Sequence, residues 1–297
     1  MSPFSEDRII HLLLKQSHKV IYFCDAENLS SNTSVHEIRK SVKRIKSWLR
    51  FFRELSGTNP FEEEEQPLQE LVRELTDARE SFVNLTLFDK YFSNRKFLPE
   101  KKVKQINDKL NKENQSQIHN LFTEENYFSL IKNRIRSLIK KTEDFKGVVP
   151  ASSLQNELSE TYAQAWAFFF EGEDPFSPEQ LHKLRIKLKQ LWFQYEAVKP
   201  AQARYFTAKT RQLHEVTEIM GNDHDNIILL QHLREHYRTD LSREEQSIVD
   251  NLIAHQHELA VSVLTGKLKL LFTENPETVR KRITSYITQG IPAKTTG

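Results

Sequence analysis

The feature that most constrains this chain is that it resembles itself. VHEIRKSVKRIKSWLRFF (35–52) aligns with LHKLRIKLKQLWFQYEAV (181–198), setting His36 against His182, Arg39 against Arg185 and Lys43 against Lys189 at an offset of 146 residues. LTDARESFVNLTLF (75–88) aligns with MGNDHDNIILLQHL (220–233) at an offset of 145, setting Leu75 against Met220, Glu80 against Asp225 and Leu85 against Leu230. Two matched segments at nearly one offset imply two structural halves that carry the same pair of elements. FKGVVPASS (145–153) lies at the midpoint and reads as a linker. The expectation is a single domain over 1–297, made of an N-terminal half, 1–147, and a C-terminal half, 148–297.

The elements are predicted to be helices. Apolar residues recur at spacings of three and four through 71–88, 127–141 and 248–272, while alternating strand patterns are scarce. Prolines fall at or near the joins, at Pro60 and Pro67, Pro99, Pro150, Pro175 and Pro178, Pro200 and Pro276. An all-α chain of roughly eight to ten helices packed as antiparallel bundles follows. The seven glycines form no Gly-rich phosphate loop. The single cysteine, Cys24, excludes an internal disulfide framework and a cysteine-based zinc site, and suits a reducing cytoplasm. No stretch approaches the roughly 18 uninterrupted apolar residues of a membrane span. MSPFSEDRIIHLLLKQ lacks a basic lead-in and reads as a helix rather than a signal peptide. A soluble cytoplasmic protein is expected.

With 43 basic and 41 acidic residues, total charge points to no partner; any electrostatic function must come from segregation. Segment 35–53 is segregated: seven of its nineteen residues are Lys or Arg and only Glu37 is acidic. On a helix, Val42, Leu49, Ile38, Ile45, Phe52 and Trp48 fill one arc of about 120° that faces the core. The other side carries His36, Arg39, Lys40, Lys43, Arg44, Lys46, Arg50 and Arg53. His36, Arg39, Lys43, Lys46 and Arg50 step by 3, 4, 3, 4 and form a line about 21 Å long. A solvated face would mix Glu with Lys. Here close neighbours are like-charged, at roughly 0.2–0.5 kcal/mol of repulsion per pair. A linear polyanion laid along the line relieves that repulsion. Arg forks onto phosphate oxygens, and Lys supplies a mobile point charge. The second copy repeats the stripe with His182, Arg185 and Lys189 over Leu181, Leu184, Leu188, Leu191 and Tyr195. Trp192 stands where Lys46 would be and Glu196 replaces Arg50, so the second half is expected to grip less strongly, through His182, Arg185, Lys187 and Lys189. Lys187 falls near the core side.

H-x-x-R-x-x-x-[KR] at the head of a helix, present as HEIRKSVKRIK (36–46) and HKLRIKLKQLW (182–192), resembles the signature of the CHAD domain, the conserved histidine α-helical domain. That family's second marker, L-G-x-x-[RN]-D at a turn into a helix, resembles LTDARE (75–80) and MGNDHD (220–225). The resemblance covers essentially the whole chain. It implies two helical bundles related by a pseudo-twofold, facing each other across a basic channel, and non-catalytic binding of inorganic polyphosphate with no cofactor. Matched by position, the binding residues are His36, Arg39, Lys43, Arg44 and Lys46 in the first motif and His182, Arg185 and Lys189 in the second. Lys40, Arg50 and Lys187 extend the two stripes, and Arg79 is the first candidate outside them because it lies in the turn motif. Lys40 departs from a usual aliphatic, Gln190 and Trp192 from basic positions, and Thr76 and Glu80 from the Gly and Asp of the turn. Some relatives join this domain to a triphosphate-tunnel enzyme. The chain shows no E-x-E-x-K strand motif and reads as free-standing. Association with polyphosphate granules is a further expectation.

Two other classes compete. A single-strand nucleic-acid binder would use the same groove, and a phosphohydrolase would need carboxylates holding a metal beside the stripe, where Glu37 alone serves poorly. His232 and His236 lie four apart but have no third ligand at a diagnostic spacing, so no metal is expected. Asp223, His224 and Asp225 read as the family turn rather than an acid–base cluster, and Glu62–Glu65 as an exposed helix start or loop. Trp48, Trp166 and Trp192 read as packing residues. A polyanion favours protonated imidazole, so binding is expected to be tighter at pH 6 than at pH 8.

Overall fold

Every regular element among the described residues is helical. The computed structural model of the protein describes residues 7–25, 31–53, 55, 59–93, 97–123, 127–172 and 174–290. It contains eleven α-helices, slightly more than expected: α1 (Arg8–Asp25), α2 (Ser31–Leu49), α3 (Glu62–Glu74), α4 (Thr76–Phe88), α5 (Glu100–Thr123), α6 (Tyr127–Asp144), α7 (Ala151–Phe170), α8 (Pro178–Val198), α9 (Ala203–His236), α10 (Arg243–Leu271) and α11 (Pro276–Gly290). No helix is long and apolar enough to cross a membrane among the described residues.

Local chemistry sets several boundaries. The run Glu62–Glu65 occupies the first turn of α3, where the helix dipole favours negative charge. Ser177 caps α8, accepting from the Gln180 amide, and Pro178 opens the helix where its missing N–H costs nothing. Ser242 and Glu245 form a reciprocal capping box at the start of α10.

Two apolar clusters hold the helices together. The larger spans both halves of the chain, from Ile9 and Leu13 of α1 through Val42 of α2, Leu188 of α8 and Leu213 of α9 to Ile283 of α11. The smaller joins Phe88 of α4, Ile106 and Leu110 of α5, Leu229 and Leu233 of α9 and Ile253 of α10. The 34-residue α9 reaches from one cluster into the other. Of the midpoint segment 145–153 read as a linker, 145–150 has no helix, whereas 151–153 open α7; the segment is tied down, since Val149 is buried and Phe145 packs edge-on against Phe52.

The two repeat copies meet directly. α2 packs on α8, and α4 packs on α9. Trp48 Nε1 donates to the Phe193 carbonyl at 2.7 Å and Ser47 Oγ to the Gln190 carbonyl at 2.9 Å, fixing the register between α2 and α8. Trp48 is thereby a packing residue, as expected. The turn marker behaves differently in its two copies. In the first, Leu75 separates α3 from α4. In the second, Met220–Asp225 lies inside the unbroken α9, correcting the expectation of a turn there.

Candidate functional site

Where α2, α4, α8 and α9 converge they enclose a cavity of about 360 Å³. α2 contributes His36, Arg39, Lys40 and Lys43; α4 contributes Arg79; α8 contributes Arg185 and Lys189. Three carboxylates share the wall, Glu80, Glu218 and Asp225. Six Lys and Arg residues against three carboxylates leave the cavity electropositive before its histidines are counted.

The motif residues explain how the arginines are seated. Arg39 Nη1 donates to the Thr76 hydroxyl at 2.8 Å and to the Val72 carbonyl, so it closes the end of α3 where the backbone has no helical donor to offer. At the matched position in the second copy stands Gly221, in the interior of α9. Glycine there costs helix stability, about 1 kcal/mol relative to alanine. A Cβ on Gly221 would lie 3.1 Å from Arg185 Nη2, so the guanidinium lies closer to the helix than it would beside a larger residue, by a few tenths of an ångström. The departure of Thr76 from the family's glycine therefore changes how one arginine is held: by a hydroxyl acceptor in the first copy, by vacated space in the second.

Crowding of cations in a buried setting shows in their ionisation. Burial, reinforced by Arg39, Arg185 and Lys189, pushes the Lys43 ammonium down to about 7. Burial and Arg185 push Lys189 down to about 8. Burial also lowers His36, with Arg79 adding to the effect, and lowers His182, with Arg185 and Lys43 adding. His224, whose ring centre lies 4.4 Å from that of His182, is pushed down to about 4 by burial and by His182. On the acid side, burial raises Asp225 and Glu80 against the pull of the neighbouring arginines.

The stripe inferred from the sequence is divided by the structure. His36, Arg39, Lys40, Lys43, Arg79, Arg185 and Lys189 come together in the cavity wall. His182 is not part of that wall: its ring lies tilted against His224, and its buried Nδ1 has no partner. Four candidates are directed elsewhere. Arg44 pairs with Glu196 at 3.2 Å across α2 and α8 and lies over the Phe193 ring. Lys46 donates to Gln69. Arg50 pairs with the buried Glu157 at 2.5 Å, and Lys187 donates to Gln164 at 2.6 Å. The reason is geometric: two crossing helices face one another over a limited length, and the far end of the α2 line meets α3 and α7 instead.

Sequence reasoning missed the acidic members, Glu218 above all. The offset pairing of Glu80 with Asp225 was their one visible signal. Trp192 packs against the larger core, as read, and its indole also lines the cavity, stacked on His214 at 4.6 Å between ring centres.

A family model, the CHAD domain, matches residues 12–234. The chain belongs to the CHAD domain family. The matched span contains both copies of the histidine motif and both copies of the second marker. Among solved structures, the CHAD domain from the plant Ricinus communis superposes with a TM-score of 0.58 at 14% identity, covering 94% of this chain and 91% of that one. PptA from Streptomyces chartreusis superposes with a TM-score of 0.61 at 14% identity, covering 92% of this chain and 100% of that one. At that identity the likeness is one of fold. A comparison with curated proteins finds no match. In this CHAD chain the cavity lies where the two histidine-motif helices cross.

Proposed function

We propose that this CHAD chain binds inorganic polyphosphate in the cavity between α2, α4, α8 and α9, and that it does so without catalysis. The observation carrying this reading is the gathering of six Lys and Arg residues in one concave wall, where burial first and the neighbouring cations second hold Lys43 and Lys189 below the usual ammonium range. Cations that suppress one another's charge are relieved by a polyanion. Polyphosphate offers phosphate contacts alone, which suits guanidinium and ammonium donors. A nucleic acid would also ask for stacking surfaces, and the Trp192 ring is already stacked on His214. On this reading the protein works in the cytoplasm, in association with polyphosphate granules.

Filter-binding titration with polyphosphate at two salt concentrations tests the proposal. Affinity should fall steeply with salt, as counterion release requires. RNA of equal charge should displace polyphosphate poorly; easy displacement would transfer the site to nucleic acid. Release of phosphate from labelled polyphosphate in Mg²⁺ or Mn²⁺ would overturn the non-catalytic part.

On this reading the pH dependence rests on the two lysines. Lys43 and Lys189 titrate near 7 and 8 in the free protein, and bound polyphosphate raises both. Binding therefore takes up protons above about pH 7, and affinity falls as pH rises from 7 to 9. Below about pH 6 both lysines are charged in either state and their contribution levels off. Lys43→Arg, which stays charged, should flatten the profile between pH 7 and 9; an unchanged profile would move the titration to other groups.

Asp225 supplies a second check. Its carboxyl sits among Arg185, Arg79, Lys189 and Lys43 and repels an incoming anion. Asp225→Asn is expected to tighten polyphosphate binding at pH 6 by about tenfold, one screened charge–charge repulsion of about 1.4 kcal/mol. It should also lower the melting temperature of the unliganded protein, whose clustered cations lose a counter-ion. Weaker binding would show that Asp225 positions the arginines instead.

A further inference from the structure

Beside the basic cavity lies a second cavity of opposite character. It has a volume of about 530 Å³ and is walled by α4, α5 and α9. That lies within the range of about 300–1,000 Å³ usual for small-molecule sites. Its wall holds the carboxylates Asp77, Glu80, Glu113 and Glu235 and no Lys or Arg. Glu80 belongs to both cavities.

Acidity alone would make this an ordinary solvated groove. A separate observation points to a ligand. Asn84 stands in the same wall, is only 3% exposed, and its Oδ1 has no hydrogen-bond partner. A buried amide oxygen left unpaired costs roughly 1–3 kcal/mol, so a donor at this point is favoured. Its neighbour Ser81, by contrast, is fully engaged, donating to the Ala78 carbonyl and accepting from Asn114 Nδ2.

The acceptors are spread along three helices rather than gathered. Among the described residues no three His, Cys, Asp or Glu side chains are placed to hold a metal ion. Glu113 is already committed, accepting from Tyr237 and meeting His232 Nε2 at 2.8 Å. What remains is a set of separated oxygens, Asp77, Glu80, Asn84 Oδ1 and Glu235. Such a set suits a ligand with several N–H donors along a chain. A compact cation would reach only one or two of them.

We infer that this cavity binds a linear organic polyammonium ion, of the diamine or polyamine class, through Asp77, Glu80, Asn84 and Glu235. The amines donate to the separated oxygens, and the methylene links between them lie along the helix walls. The site makes this CHAD chain a receptor for a polycation next to a site proposed for a polyanion.

Isothermal titration of the full chain with spermidine at low salt, with no polyphosphate present, tests the inference. Binding with a Kd below about 1 mM is expected. The exposed pair Asp77→Asn/Glu235→Gln should weaken it by about tenfold or more, and Asn84→Ala by about fivefold with no change in charge. Circular dichroism of each variant establishes that it is folded, and the surface pair carries the test if Asn84→Ala is not. Butylamine should bind much more weakly than spermidine. No heat of binding, equal affinity for butylamine, or tighter binding of Mg²⁺ alone with the same sensitivity to the variants would each overturn the inference. Because polyphosphate is absent from the assay, failure here leaves the anion site untouched, and failure of the anion site leaves this result standing.

Discussion

Arg185→Ala/Lys189→Ala is expected to weaken polyphosphate binding by about 10²–10⁴-fold, while Lys46→Ala should change it by less than about threefold. The first figure follows from two charge-assisted phosphate contacts, each worth about 1.5–3 kcal/mol. The salt dependence should change with it: removing two contacts flattens the slope of log K against log salt by about 1.4, taking the single-strand coefficient. The second figure follows from placement, since Lys46 points to Gln69 and not into the cavity. The companion variant Arg39→Ala/Lys43→Ala should lose less than the Arg185 pair. Arg39 already donates to Thr76 and Val72 in the unliganded protein. Arg185 keeps a buried Nε with no partner, so its donors are unspent until an anion arrives. This reverses the ranking expected from the sequence, in which the second copy was the weaker because Trp192 and Glu196 replace basic residues. Both of those positions correspond to Lys46 and Arg50, which the fold directs away from the cavity, so their replacement removes nothing from it. Filter-binding isotherms at two salt concentrations separate the cases: equal losses for Lys46→Ala and the Arg185 pair would return the whole stripe to the binding surface.

The parts of the site that were legible in the sequence are those that a single helix determines. The core arc of α2 was readable because Val42, Ile45, Leu49 and Phe52 recur at helical spacing, and all four are buried. The pairing of His36, Arg39 and Lys43 with His182, Arg185 and Lys189 was readable because the same residue types recur at one offset of 146. What was not legible depends on how helices cross. Periodicity assigns a residue to a face; it does not say which neighbour that face meets, or over what length. Arg50 and Lys43 share a line in the helix expected from the sequence, yet Arg50, in the turn after α2, meets a buried carboxylate of α7 while Lys43 faces the cavity. The break at Leu75 against the continuity at Gly221 is another case. Whether a motif ends a helix there turns on contacts made by arginines 36 residues distant in each copy, and no local signal reports them.

Glu157→Ala is expected to destabilise the protein by about 3–5 kcal/mol, the usual consequence of stripping one partner from a buried charge pair. Glu157 is 6% exposed and receives hydrogen bonds from four side chains. Arg50 Nε donates at 2.5 Å, Gln194 Nε2 at 2.9 Å, Gln190 Nε2 at 3.0 Å and Thr161 Oγ1 at 3.2 Å. One carboxylate thus ties α7 to α8 and to the turn that follows α2. Removing it leaves the Arg50 guanidinium and the Gln194 amide without their acceptor, while Gln190 keeps the Thr161 hydroxyl, and for a chain of this size the melting temperature should fall by about 5–8 °C. The cost belongs to the orphaned partners rather than to the pair itself. Arg50→Met/Glu157→Met, which removes both charges and keeps the volume, should therefore be more stable than Glu157→Ala alone. Thermal melts of the two variants decide this. Well below its melting temperature the double variant should bind polyphosphate with unchanged affinity, because Arg50 serves the core and not the cavity. A double variant as unstable as Glu157→Ala, or one that loses binding while folded, would show that Arg50 belongs to the anion site after all.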